Sequence, residues 1–280
     1  GEDIANQLDP CPEEDEENIR IWGRCYKIED VKALGQESCF WLGYEQNEEC
    51  YSERDWNEDS SDSERLYESP YPDLNDTIPS SIARLKNLIY ININHRYGMV
   101  GSIPSEIGSL TSLKHIDLNG NFLSDSLPKE IGDLSALVTL NLSENEFIGS
   151  IPLEIGNLEN LSGRLRLNHN QFSGSIPSEL GNLSKVQELH LHANNLSGEI
   201  PKELFMMGDI RFIDLHSNQL TGPIPQEICT EYSGENIRLG NNKLCPPYPS
   251  CFYDSDGSEN WRVTNQIGYQ DDSDCPVAGC

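Results

Sequence analysis

The 280-residue chain has no apolar run approaching the roughly 18 residues that read as a membrane span, so insertion into a bilayer is not expected. Basic residues are scarce. Nineteen lysines and arginines stand against 47 acidic residues, for a formal charge of −28. A surface this negative repels phosphate backbones and anionic lipid, which makes nucleic acid and membrane surfaces poor partners. Enzyme signatures are missing too: no Gly-x-Ser-x-Gly elbow, His-Glu-x-x-His pair, phosphate loop or Gly-x-Gly-x-x-Gly fingerprint occurs. The expectation is a protein without catalytic activity and without a resident cofactor.

Cysteine is absent from the 178 residues between Cys50 and Cys229. The nine thiols form two terminal groups, Cys11, Cys25, Cys39 and Cys50 near the start and Cys229, Cys245, Cys251, Cys275 and Cys280 near the end. Neither group has the C-x-x-C spacing of a metal site, so disulfides that staple end pieces in an oxidising compartment are expected. Nine is odd, and Cys280 is the candidate for a free or intermolecular thiol. The opening Gly1-Glu2-Asp3 has no basic and apolar leader, which suggests a mature secreted chain after signal removal.

What is present is a repeat. Prolines preceded by isoleucine or leucine fall at Pro79, Pro104, Pro128, Pro152, Pro177, Pro201 and Pro225, at intervals of 24 or 25 residues. Aligned on them, the chain reads Leu137-x-x-Leu140-x-Leu142-x-x-Asn145, Val186-x-x-Leu189-x-Leu191-x-x-Asn194 and Ile210-x-x-Ile213-x-Leu215-x-x-Asn218, with Leu113 to Asn121 in the same pattern. The period-two alternation predicts a short strand with one face buried. One strand cannot hide its leucines, whereas stacked repeats pair the strands in parallel and merge the leucine columns into one core. Asn121, Asn145, Asn170, Asn194, Asn218 and Asn242 fall where the chain must turn, and their amides are expected to satisfy backbone groups of adjacent coils. The column Leu123, Phe147, Phe172, Leu196, Leu220 and Leu244 is expected inside.

The run Ser-Gly-Ser-Ile-Pro-Ser-Glu-Leu-Gly-Asn-Leu-Ser from Ser173 to Ser184 resembles the plant-type leucine-rich repeat, as do Gly149 to Leu158 and Gly198 to Leu204. The likeness extends over about Leu74 to Leu244. It implies an α/β solenoid, a curved right-handed stack with a concave parallel sheet of about seven strands, short second strands near x-Gly-x-Ile-Pro, and irregular or 3₁₀ turns outside. It also implies extracellular recognition of a protein, peptide or glycan. Three regions follow: an acidic cysteine-containing cap region over 1–73, repeats over 74–244, and a cysteine-containing cap over 245–280. Two repeats break register, one between Ile93 and Met99, the other with an extra residue in Leu161-Ser162-Gly163-Arg164-Leu165, where a bulge is expected.

Alternation places Asn92, Asp117, Asn141, Arg166, His190, Asp214 and Arg238 in one exposed column on the wet face, with His192 and His216 in the next and Tyr90 and Phe212 adding aromatic surface. These residues apart from Asn141, together with His115, are the candidate partner-binding set. No metal site is expected, because a flat sheet spaces ligands more widely than tetrahedral zinc requires; His190, His192 and His216, with Glu188 or Asp214, are the residues that would form one. Calcium in the acidic caps is the other cation considered, although Asp254 to Gly257 does not fit the twelve-residue loop. Sequons occur at Asn75, Asn141, Asn160, Asn182 and Asn195. Asn160 and Asn182 are the best glycan candidates, on the outer side. Two alternatives to recognition remain: self-assembly into a filament or surface layer through the solenoid ends, and an ice or polysaccharide binder, which the irregular wet columns disfavour.

Overall fold

A computed structural model describes residues 77–94, 98–230, 236–253, 267–271, 273 and 275, together with three short strands among the first 35 residues. Its centre is an all-parallel sheet of eight strands in chain order: Ala33–Gly35, Tyr90–Asn92, His115–Asp117, Thr139–Asn141, Gly163–Arg166, Val186–His190, Phe212–Asp214 and Asn236–Arg238. Seven come from the repeats as expected. The eighth, Ala33–Gly35, comes from the acidic N-terminal region and lays Leu34 in register with Ile91. The same region holds an antiparallel pair, Asn18–Ile21 with Arg24–Lys27.

Register converts the sequence columns into a core. Ile91, Ile116, Leu140, Leu165, Leu189, Ile213 and Ile237 are successive partners across the sheet, and all are buried. Behind them, Phe147 and Phe172 stack with ring centroids 5.9 Å apart. The extra residue of the fourth repeat is a register shift between Gly163 and Arg164, with Gly163 at φ +69°, a conformation that glycine adopts without Cβ strain. The second strands form five-stranded and two-stranded parallel ribbons.

Six asparagines lock the coils together. Asn194 is typical: its Nδ2 donates to the carbonyls of Leu191 in its own coil and Leu167 in the preceding one, each at 3.0 Å. Its Oδ1 accepts the Phe172 amide at 3.1 Å. Asn121, Asn145, Asn170, Asn218 and Asn242 repeat this arrangement, and all six are buried. Immediately before each one the chain takes a left-handed residue, Gly120, Glu144, His169, Ala193, Ser217 or Asn241, with φ between 53° and 68°. Outside glycine such a residue costs roughly 1–2 kcal/mol. The amide bonds hold the turn against that strain.

The opposite side is built by proline. Pro79, Pro104, Pro128, Pro152, Pro177, Pro201 and Pro225 each precede a 3₁₀ turn, from Ser80–Arg84 to Gln226–Cys229. The ring keeps each preceding residue extended, which directs its isoleucine or leucine inward. These turns stack closely: a Cβ on Gly156 would lie 2.4 Å from the Glu179 carbonyl oxygen, and Gly108, Gly132 and Gly181 are equally tight. In the next repeat Phe205 occupies the corresponding position and is wholly buried.

The C-terminal end closes by imitation. Gln270 donates to the carbonyls of Leu239 at 2.9 Å and Ile267 at 2.7 Å, and accepts the Leu244 amide at 3.1 Å. It is a seventh rung, made by glutamine. Cystines Cys229–Cys251 and Cys245–Cys275 fasten this end, each with Cα atoms 5.5 Å apart. They resolve the pairing of four cysteines that the spacing left open. The side chains of Cys11, Cys25, Cys39, Cys50 and Cys280, the Asp254 to Gly257 turn and Asn75 lie outside the described residues.

Asn194→Ala strands three buried backbone groups, so urea unfolding is expected to show a loss of about 3 kcal/mol, against under about 0.5 for the exposed neighbour Asn195→Ala. Gln270→Leu should speed amide exchange selectively around Leu239 to Leu244, as read by hydrogen–deuterium exchange.

Candidate functional site

The wet face of the main sheet divides into two clusters. At the N-terminal end Tyr90 and His115 stack with centroids 4.6 Å apart, and His115 Nδ1 lies 2.9 Å from Thr139 Oγ1. Asp117 turns inward on the chain: its Oδ1 accepts the Asn119 amide and its Oδ2 accepts from Asn94 Nδ2. That carboxylate serves the strand exit. Asn92 keeps its Oδ1 buried with no hydrogen-bond partner.

The second cluster spans the strands Gly163–Arg166 to Asn236–Arg238. Arg164 Nε meets Glu188 Oε2 at 2.7 Å, and His190 Nε2 reaches the same oxygen at 3.1 Å. His190 tilts against Phe212 at 5.2 Å, and the Arg238 guanidinium stands 5.5 Å over the same ring. Two residues further along, His192 and His216 stack at 4.6 Å, while the His169 and His192 rings meet nearly at right angles with centroids 5.1 Å apart. Asp214 is the hub. Its Oδ1 pairs with His216 Nδ1 at 2.5 Å and accepts the His216 amide; its Oδ2 lies 3.5 Å from His192 Nδ1 and 3.6 Å from Arg238.

Asp214 corrects the expectation of an exposed column: it is 1% exposed. The cause is lateral crowding, since His192, His216 and Arg238 close over a short carboxylate whose Cβ lies at sheet level. Asn94, Asn119 and Ser143, in the adjoining column, are likewise buried, with Asn119 Nδ2 donating to Ser143 Oγ at 2.7 Å. Arg166 and Arg238 flank the cluster, Arg238 being mostly exposed. Thr139, Arg164 and His169 are cluster members that lie outside the partner-binding set read from the sequence. Arg164 follows the bulge that sets it opposite Glu188; the insertion was the available signal. His169 sits at a left-handed turn position rather than on a strand, so alternation passes over it.

Burial lowers His190 and His115 and pushes His192 down to about 4, so these rings are neutral near pH 7. Burial alone would raise Glu188, yet the His190 hydrogen bond and the Arg164 charge together hold it below the usual value. Among the described residues no helix is long and apolar enough to cross a membrane. The sequons differ in availability. Asn160 is exposed but engaged, its Nδ2 on the Ser135 carbonyl and its Oδ1 on Lys185 Nζ, both at 2.9 Å. Asn141 holds Ser143 by two bonds; Asn182 and Asn195 are exposed.

Residues 105–230 match the family model described as a leucine-rich repeat region. Those residues form a leucine-rich repeat region, and the described solenoid is similar to the ectodomains of plant receptors. A plant peptide hormone receptor, RGFR1 in complex with RGF2, is 33% identical with a TM-score of 0.59, over 62% of this chain and 28% of that one. The ectodomain of the Arabidopsis receptor kinase HAESA, in complex with an extended IDA peptide hormone, is 37% identical with a TM-score of 0.57, over 62% and 29%. A leucine-rich repeat protein of Leptospira interrogans is 34% identical with a TM-score of 0.51, over 63% and 43%. The chain spans less than a third of each of these two receptor chains. No curated protein matches the sequence.

His115 supplies a pH test. Its folded value lies below the ordinary 6.5, so on acidification the unfolded chain takes up the proton first and stability falls as pH drops below 6.5. An NMR titration should find its midpoint below 6.5, and His115→Phe should flatten the fall in melting temperature between 6.5 and the folded midpoint.

Proposed function

We propose that this chain is a secreted, non-enzymatic recognition module that holds an extended peptide segment, free or part of a protein, across the wet face of its main sheet. The observation that carries the reading is the second cluster. Arg164, Arg166 and Arg238 stand beside Phe212 and the imidazoles of His190 and His192 on four adjacent strands, a mixture of cation, ring and donor that a peptide carboxylate and apolar side chain can both use. Support comes from the receptor ectodomains above, whose structures contain peptide hormones. The two described cystines suit an oxidising, extracellular setting. Assembly through the C-terminal end is disfavoured, since Ile267 to Gln270 already occupies the exit of the edge strand Asn236–Arg238.

Selection of a displayed random peptide library on the immobilised full chain tests this. Enriched peptides should lose about tenfold or more in affinity, roughly 1.4 kcal/mol, with Arg238→Ala or Phe212→Ala, and keep it with Lys185→Ala on the opposite side. Failure to enrich any peptide, or enrichment indifferent to Arg238 and Phe212, overturns the reading.

A further inference from the structure

We propose that His190, His192 and Asp214 form a binding site for a divalent transition-metal ion of the zinc class on the wet face of the main sheet. Each residue offers one ligand atom, and the three atoms lie within 4.8 Å of one another. The strands produce this convergence. His190 and Asp214 are register partners on neighbouring parallel strands, and His192 lies two residues beyond His190 on the same face. The predicted trio differs from the one that forms. His216 gives its Nδ1 to Asp214 Oδ1 and so becomes an outer partner that orients the carboxylate, while Asp214 takes the ligand place.

An independent observation points to an occupant. His192 Nδ1 is buried, has no hydrogen-bond partner, and faces Asp214 Oδ2 across 3.5 Å. A buried ring nitrogen left so is destabilising unless something accepts its lone pair. A metal ion does. Outer bonds are in place on both flanks, His190 to Glu188 and Asp214 to His216. Two nitrogens and one oxygen suit zinc and its first-row neighbours and not calcium, which takes oxygen ligands. Bonds of about 2.0–2.1 Å place tetrahedral ligand atoms about 3.3 Å apart. The side chains must therefore draw together, which rotation about χ1 and χ2 provides. At least one coordination position stays open toward solvent. Arg238, 3.6 Å from Asp214 Oδ2 and 63% exposed, is the competing cation that the metal would turn outward.

Calorimetric titration of the full chain with zinc chloride, after chelator treatment, tests the site, with histidine ring NMR as the second readout. One equivalent should bind saturably, shifting the His190 and His192 ring signals and leaving His115 unmoved. His192→Gln and Asp214→Asn should each weaken binding by about tenfold or more. Arg238→Gln should tighten it, an effect that a purely structural role for the cluster does not give. His190→Gln, at a partly exposed side chain, serves if the buried Asp214 variant fails to fold. Absence of saturable uptake at about 100 μM zinc, a level that fills even a modest site with a Kd of about 10 μM, overturns the proposal. So does uptake that survives in the His190→Gln, His192→Gln double variant, which would assign the metal to carboxylates or thiols elsewhere.

Discussion

The solenoid depends on one side-chain amide used three times per coil. Each ladder asparagine satisfies two carbonyls and one N–H, and two of those three groups belong to the preceding coil. Apolar burial drives the coils together but is indifferent to their phase. The amide is not. Buried backbone groups at the strand exit have no water to turn to, so a coil displaced by one residue would strand three of them. Leucine columns therefore supply cohesion, and the asparagines supply alignment.

Much of this was legible because the cause repeats. The Ile-Pro ladder, the alternating leucines and the asparagine column each recur at 24 or 25 residues, and strand, turn and core fall where that period puts them. What escaped is what the period does not carry. Gln270 follows Asn242 by 28 residues and differs in side-chain length, yet its longer arm reaches the same class of carbonyl. Ala33–Gly35 has no repeat around it; its place on the sheet edge comes from backbone pairing, which leaves no side-chain signature. The pairing of Cys229 with Cys251 and of Cys245 with Cys275 is a matter of three-dimensional proximity.

The wet face was legible in position and not in exposure. Alternation correctly assigned His190, His192, Asp214, His216 and Arg238 to one side, but a column read as solvent-facing contains a carboxylate that is almost wholly covered. Strand spacing explains the difference: with neighbours about 4.8 Å away, imidazole and guanidinium groups on flanking strands are wide enough to roof a short side chain between them. The outcome is a face that is polar by composition and partly desolvated by geometry, which strengthens its charge interactions relative to those of isolated surface residues.

Every rung of the amide ladder reaches toward the N-terminus, never toward the C-terminus, for its inter-coil bonds. The array thus has a growing end and a founding end. A coil can be added or excised as a whole unit without orphaning its successor, because the next asparagine meets an equivalent backbone whichever coil stands before it. Length is consequently free to drift by duplication, while the last coil always needs a borrowed amide, and a polar side chain from beyond the array has been recruited to lend it.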